Sequence, residues 1–560
     1  MGLLRSRMGR LMTASRLLVV APVSFIAVFF VYPLVAILAK SFGGGDVGLG
    51  PFQVLLGDSY YLGRIWFTIW QAAFSTFLTL VLGLPVAYLF ARHEFPGKSL
   101  LKALTTLPFI MPTIVVAMGF VALLGSGGLV NTGLSGVFGD NAPQVRIANT
   151  LTIIFLAHAF YNYSIVVRIV SAYWANLSPQ FEESSAMLGA GRIQTFLHVT
   201  LPLLLPAVWS SAILVYIFSF TSFGVVMILG GSQFATMEVA IYELTVKLFR
   251  LDIAGALAIV QIVFTYIFML IYTRIQTRSA VPVTLVHREA ISKRKRSIRD
   301  TLFVVGIISI LLVVLSPLLA LVERAISTND GYSLTHFVAL FSNDSDSYFY
   351  LSPLHVIWNS IRFAFMSMVI AMLVGTAAAY VIVRPGKRSS ILDSLFMLPL
   401  VVSAVTLGFG FLVAFNRPPV DLRGSWLILV IAHSLVAYPF VIRTLLPVLR
   451  GMPPHLKESA ALLGASPLRV FIHIELPLIA RALVVGATFA FAVSMGEFGA
   501  SLLLVRSEFT TIPVAIFRLL GQPGTANLGQ ALAMSTLLMV VVALGFVVIE
   551  RFRYRDIGGF

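Results

Sequence analysis

The chain of 560 residues contains no cysteine. That absence excludes a disulfide framework, a thiolate metal site and a cysteine nucleophile together. Charge is scarce as well: Asp, Glu, Lys and Arg make up 11% of the chain, and only 23 residues are acidic. A soluble chain carries about 25% charged residues. Hydrolytic motifs are also missing. There is no HExxH pair, no GxSxG elbow and no carboxylate cluster, so a membrane hydrolase would have neither nucleophile nor metal. Gly97, Lys98 and Ser99 resemble the end of a phosphate-binding loop, but Arg92 stands where GxxxxGK[ST] requires its first glycine. ATP binding by that route is excluded, and no cofactor or metal site is expected.

What is present is apolar. Hydrophobic residues make up 58% of the chain and the mean hydropathy is +0.95, so lipid is the solvent for most of it. Apolar runs long enough to cross a bilayer fall near 17–40, 65–91, 101–125, 148–172, 203–229 and 253–275. Six more fall near 300–324, 356–383, 393–416, 424–448, 478–505 and 527–549. Basic residues precede the first run, as in a signal peptide, but the run is too long and no clean small-residue cleavage site follows; it reads as a retained span.

The net charge of +16 sits beside the spans. Arg5, Arg7, Arg10 and Arg16 precede the first; Arg278, Arg288, Lys293, Arg294, Lys295, Arg296 and Arg299 separate the sixth from the seventh; Arg551, Arg553 and Arg555 follow the last. The positive-inside rule places all three clusters, and both termini, on the cytoplasmic side. Asp46, Asp58, Asp330, Asp344 and Asp346 fall in segments that fit the outer face. The basic runs lack the interleaved aromatics of a stacking site, which argues against nucleic acid.

One stretch is written twice at an offset of 275 residues. Glu183, Ser184, Ser185, Gly189, Val199, Thr200, Leu201 and Pro202 match Glu458, Ser459, Ala460, Gly464, Ile474, Glu475, Leu476 and Pro477. Ala157, His158, Tyr163, Arg168, Phe223, Gly224, Phe234, Thr236, Ala240 and Ile241 have partners at the same offset. Upstream, Gly83, Tyr88 and Arg92 match Gly375, Tyr380 and Arg384 at an offset of 292, with most of the difference assigned to an outer loop, Gly125 to Ala148. The expected fold is therefore an all-α polytopic membrane protein of about twelve transmembrane helices in two parallel six-helix repeats. Residues 1–275 and 300–560 form the repeats, and 276–299 is a basic cytoplasmic linker.

Both copies of the repeated motif fall between spans on the cytoplasmic side, near 177–202 and 452–477. In the first, Ser178 is suited to an N-cap and Pro179 to the first helical position, acidic residues follow, and Gly189 stops a helix of about ten residues, about 15 Å long. Small residues at its centre allow a second surface to approach the backbone.

Glu-Ser-Ser with Gly189 and Leu201-Pro202, and Glu-Ser-Ala with Gly464 and Leu476-Pro477, resemble the EAA motif of ATP-binding-cassette importer permeases. The first copy departs in having Ser184 and Ser185 where two alanines are usual. The resemblance covers nearly the whole chain and implies a non-catalytic membrane subunit with a type I importer fold. It implies that Glu183, Ser184, Ser185, Gly189, Glu458, Ser459, Ala460 and Gly464 dock on an ATPase homodimer that hydrolyses ATP. It further implies an extracytoplasmic solute-binding protein and residence in the inner or plasma membrane. The fused arrangement resembles the thiamine and ferric-iron importers. The stretches around Ser222-Phe223-Gly224 and Gly496-Glu497-Phe498-Gly499 look more like the thiamine branch, with ferric iron as the alternative cargo.

Four residues are candidates for the substrate path. Glu497 is read as lying within a span, where an acidic group is costly by roughly 2.5 to 3.5 kcal/mol unless it is used; a carboxylate suits a cationic cargo. Ser222 is its counterpart in the first repeat. Tyr163 and Tyr438 pair across the repeats, as do His158 and His433, and that symmetry suits an interface role. Glu238, Glu243 and Lys247 follow the fifth span on the outer side, where they would be solvated or meet the binding protein. A secondary transporter, which also uses parallel repeats, is the rival class, but it leaves the repeated cytoplasmic helix without a purpose.

Overall fold

The computed structural model describes residues 19–44, 46–47, 49–178, 180–231, 233–278, 298–328, 331–341, 352–383, 388–400, 402–417 and 420–554. Arg5, Arg7, Arg10, Arg16, Pro179, Arg288, Lys293 to Arg296, Asp330, Asp344, Asp346, Arg384 and Arg555 lie outside the described residues.

Within a bilayer no water is available to backbone N–H and C=O groups, so apolar runs must close their own hydrogen bonds as helices. Among the described residues, eleven helices are long and apolar enough to span: Val19–Phe42, Ser59–Arg92, Thr113–Phe138, Leu151–Ala175, Ile193–Phe220, Leu251–Ile275, Val304–Ile326, Pro353–Val383, Leu427–Gly451, Pro467–Met495 and Thr525–Val548. A bent pair, Leu392–Leu400 with Ala404–Ala414, makes up to twelve. They are numbered here as spans one to twelve in chain order, the bent pair being span nine. Strand structure among the described residues is confined to three two-residue antiparallel ladders.

The breaks differ from the expected runs for local reasons. The third run, expected at 101–125, is divided into Lys98–Leu104, Leu107–Ile110 and Thr113–Leu124, with Pro108 in the second piece and Pro112 capping the third. Proline removes a backbone donor and ends regular helix at these points. Its counterpart, span nine, bends by 97°, and Ser403 recaps the second piece through its hydroxyl, which accepts from the amide of Thr406 at 3.0 Å. The segment expected as a loop at 125–148 contains a helix, Leu129–Phe138. Asn131 holds it: the amide donates to the carbonyls of Gly125 (2.8 Å) and Val145 (3.0 Å) and accepts from the amide of Val145 (2.8 Å).

The chain forms two compact units, each drawing on both sequence halves. One comprises residues 1–55, 241–259 and 333–560; the other comprises 56–240 and 260–332. In the first unit, span one lies against Ala404–Ala414, close enough that a Cβ on Gly410 would sit 3.1 Å from Pro33 Cβ. In the second, span seven lies against Thr113–Leu124, where a Cβ on Gly119 would sit 2.9 Å from the Pro317 carbonyl oxygen. Each repeat's opening span is thus packed with helices of the other repeat.

Within each unit two long helices cross at a glycine. A Cβ on Gly83 of span two would fall 2.8 Å from Val166 Cβ of span four, and one on Gly375 of span eight would fall 2.8 Å from Val441 Cβ of span ten. Lipid gives helices no hydrophobic reason to associate, so close backbone approach through small residues supplies the attraction. Gly83→Val and Gly375→Val are each expected to cost about 1–3 kcal/mol by overpacking and to reduce the monodisperse fraction on size-exclusion chromatography in detergent. Gly306→Val, in open space on span seven, should leave the elution profile unchanged.

Candidate functional site

The repeated motif folds as two short exposed helices, Gln180–Met187 and Pro454–Leu462. Each ends in the same way. Gly189 has φ of 84° and Gly464 φ of 80°, the left-handed region open chiefly to glycine. The amide of Gly189 donates to the Ala186 carbonyl at 3.0 Å and that of Ala190 to Ser185 at 3.2 Å. The amides of Gly464 and Ala465 repeat this on Ala461 and Ala460, both at 3.0 Å. This is the pair of bonds of a Schellman terminus. Among the described residues, no atom beyond the adjoining residues lies within 4 Å of a Cβ at either glycine, so backbone conformation is what demands glycine there.

The termini present bare apolar tips. Met187 and Leu188 are each 89% exposed, Leu462 is 89% and Leu463 88%. Glu183, Ser184, Glu458 and Ser459 are exposed beside them, while Ser185 and Ala460 turn partly inward. The Ser185 hydroxyl shares a hydrogen bond with Thr195 at 3.0 Å, and the Ser178 hydroxyl accepts from the amide of Gln180 at 3.3 Å.

The inward faces are tied to the spans by two carboxylates, Glu182, which the sequence did not single out, and Glu475, which stood in the repeated stretch without a role. Glu182 Oε1 accepts from the Arg92 guanidinium at 2.9 Å and from the Thr200 hydroxyl at 3.1 Å. Glu475 Oε1 lies 2.9 Å from Lys457 Nζ, and its Oε2 accepts from the Tyr380 hydroxyl at 2.6 Å. Thr200 and Glu475 each close a wide π turn, Phe196–Thr200 and Phe471–Glu475. There the Leu201 amide bonds the Phe196 carbonyl, and Leu476 bonds Phe471. The prolines that follow, Pro202 and Pro477, lack the N–H that would continue an ordinary turn. The signal was available: positions 182 and 200 pair with 457 and 475 at the repeat offset, with the acidic residue exchanged between the two places.

The substrate-path candidates lie in buried helix packing. Glu497 occupies the break between Leu476–Met495 and Gly499–Leu504 rather than the body of a span. Its side chain caps the second helix: Oε1 accepts from the amide of Ala500 at 2.8 Å, and Oε2 from the amide (2.9 Å) and hydroxyl (2.8 Å) of Ser501. Because the Ser501 hydroxyl gives its proton to the carboxylate, it accepts from His433 Nε2, 2.8 Å away. His433 Nδ1 shares a hydrogen bond with the Ser494 hydroxyl at 2.8 Å, and its Nε2 also lies 3.3 Å from Glu497 Oε2. The carboxylate is therefore solvated by the chain itself, which removes the cost of an unpaired acidic group in lipid. In the first repeat His158 also bridges two serines, but different ones: Ser75 of span two (3.0 Å) and Ser222, the counterpart of Glu497 (2.8 Å).

Tyr163 and Tyr438 are both 0% exposed. Tyr163 packs with Val86, Leu89 and Phe90 of span two and with Ile307 and Leu311 of span seven. Tyr438 donates to the Phe396 carbonyl at 2.6 Å and meets Phe25 of span one edge-on, with ring centroids 6.3 Å apart. The two tyrosines thus mark where each unit receives the other repeat's opening span. Glu238, expected in contact with solvent or partner, is fully buried and accepts from Gln261. Glu243 and Lys247 form an i,i+4 pair at 2.9 Å.

The family described as "Binding-protein-dependent transport system inner membrane component" matches residues 80–281 and 371–555, enclosing both short helices. Thiamine transport system permease protein ThiP of Brucella abortus (strain 2308) is 26% identical over 524 residues, covering 91% of this chain and 93% of that protein. ThiP of Escherichia coli (strain K12) is 26% identical over 516 residues, covering 89% and 90%. Ferric transport system permease protein FbpB of Actinobacillus pleuropneumoniae is 27% identical over 526 residues, covering 92% of this chain and 74% of that protein.

The cap geometry distinguishes charge from shape at Glu497. Glu497→Gln turns one acceptor into an NH₂ group facing backbone amides or the Ser501 hydroxyl. The expected loss is about 1–3 kcal/mol, read as a lowered unfolding midpoint of the detergent-purified chain; an unchanged midpoint would show that the charge and second acceptor of Glu497 contribute nothing to the cap.

Proposed function

The chain belongs to the family of binding-protein-dependent transport system inner membrane components, and from this premise we propose that it forms the translocation path of an importer driven by separate ATPase subunits. The observation that carries this reading is the pair of matched apolar tips, Met187-Leu188 and Leu462-Leu463, at identically terminated helices. Exposed apolar surface displayed twice in register suits a partner with two equivalent clefts, hence an ATPase homodimer. ATP binding and hydrolysis would move the two helices, and rocking of the spans would alternate access to a central path. This chain supplies no catalytic group. Its basic flanks support cytoplasmic termini, with a solute-binding protein delivering cargo at the opposite face.

Thiamine is the proposed cargo, following the relatives that match over most of both chains. Ferric iron is the second reading, supported by the similarity to FbpB. Glu497, Ser222, Tyr163 and Tyr438 remain the proposed path residues. Since all four are enclosed by helix packing in this conformation, contact with cargo would require the surrounding spans to part during the cycle.

Two measurements bear on this. Gly189→Asp combined with Gly464→Asp places a charged side chain at a left-handed position between apolar neighbours, and should abolish uptake while membrane insertion persists; retained transport would refute the docking assignment. Cells lacking this chain should lose uptake of labelled thiamine and regain it on complementation. A response confined to ferric iron would instead transfer the chain to the iron branch.

A further inference from the structure

We propose that one carboxylate in each repeat clasps three elements together, and that these clasps pass displacement of the exposed helix to the spans. The proposal rests on the ATPase-coupled reading for its function, though not for its geometry. In the first repeat the carboxylate is Glu182, on the exposed helix; it joins Arg92 at the end of span two and Thr200 in the π turn of span five, at 2.9 and 3.1 Å. In the second repeat it is Glu475, in the π turn of span eleven; it joins Lys457 on the exposed helix and Tyr380 near the end of span eight, at 2.9 and 2.6 Å. The same three elements meet in both units.

The residues are not the same. Glu182 corresponds to Lys457, and Thr200 to Glu475, at the offset of 275. The acidic partner has moved from helix to span and the hydrogen-bond donor has moved the other way. A surface pair with no role would drift to unrelated residues once one partner changed. Here both positions changed and the three-way contact persists, which is the pattern expected when the link itself is required.

Physical circumstances support a mechanical role. An exposed ion pair contributes little because water screens it and its side chains are disordered beforehand. Each link has one sheltered member: the Glu475 side chain is 12% exposed against 42% for Lys457, and Arg92 is 11% exposed against 36% for Glu182. Each carboxylate also has a second hydrogen bond that restricts its orientation, 2.6 Å to Tyr380 for Glu475 and 3.1 Å to Thr200 for Glu182. The helices they hold have only eight or nine residues, too short to be stable alone. Without a link, a push on the tip would bend the connecting loops before it reached a span. Glu182, Arg92, Thr200, Lys457, Glu475 and Tyr380 are therefore positioning residues.

The absence of native cysteine makes a direct test available. A single cysteine at Leu188 or Leu463 carries a nitroxide, and its mobility is read by electron paramagnetic resonance on the full chain in lipid nanodiscs. Lys457→Glu should at least about double the mobile fraction at 463 and leave 188 unchanged, and Lys457→Glu with Glu475→Lys should restore order, as coupled neighbours do in a double-mutant cycle. In the assembled complex with its ATPase, the single variant should raise ATP consumed per labelled thiamine imported, or per ferric ion if thiamine is not carried, and the double variant should return it towards the parent value. An unchanged spectrum at 463, or a double variant no better ordered than the single, would overturn the clasp. Loss of order at both labels would make the pair a general packing contact and overturn it equally. The mobility arm needs no ATPase, so a chain that captures none would refute the importer reading while the clasp result stands.

Discussion

Everything in this structure follows from the lack of water around the backbone in a bilayer. Each N–H and C=O within the apolar layer needs a partner from the chain, which makes long helices the rule and every interruption a problem requiring a local answer. The interruptions are answered one by one. Ser403 caps the second piece of span nine, Asn131 closes the segment after Thr113–Leu124, and Glu497 takes the free amides of Ala500 and Ser501. A buried carboxylate can therefore be a consequence of a broken helix. Its charge is matched by the donors that the break exposes.

The same absence of hydrophobic drive between helices explains where the units are tight. Gly83 and Gly375 let paired helices approach until a methyl group would clash, and dispersion contacts then act over a long interface. Span one and span seven are gripped likewise, at Gly410 and Gly119. Tyr163 and Tyr438 occupy equivalent places beside these incoming spans. Because each unit contains a helix from the other repeat, neither repeat can complete its packing without the other.

The exposed helices obey a different balance. They are exposed, too short to persist alone, and stabilised by a glycine terminus at one end and a carboxylate on the inward face. Their outward apolar tips are left without partners within the described residues. Rigid on the inside and apolar on the outside is the arrangement a transmitted movement requires, since a compliant attachment would dissipate it.

The sequence by itself determined the membrane class, the approximate positions of the spans, the duplication, and the two short helices with their stopping glycines. All of these depend on composition, on periodicity, or on a backbone requirement such as the positive φ of Gly189 and Gly464, which act locally and leave a mark in the chain. Tertiary structure decided the rest. Spans three and nine divide at local signals, Pro108 and Pro112 in one and the Ser403 cap in the other, but the size of the bend is a property of the folded chain. Glu497 reads from sequence as a costly charge in a span; the helix break offers it the amides of Ala500 and Ser501 and the Ser501 hydroxyl, and the packing of span ten adds His433. Glu238 reads as solvated until Gln261, 23 residues away, is seen to enclose it with the surrounding spans. The exchange of opening spans and the carboxylate clasps join residues from about 20 to nearly 400 positions apart, and contacts at such separation are fixed by how helices pack.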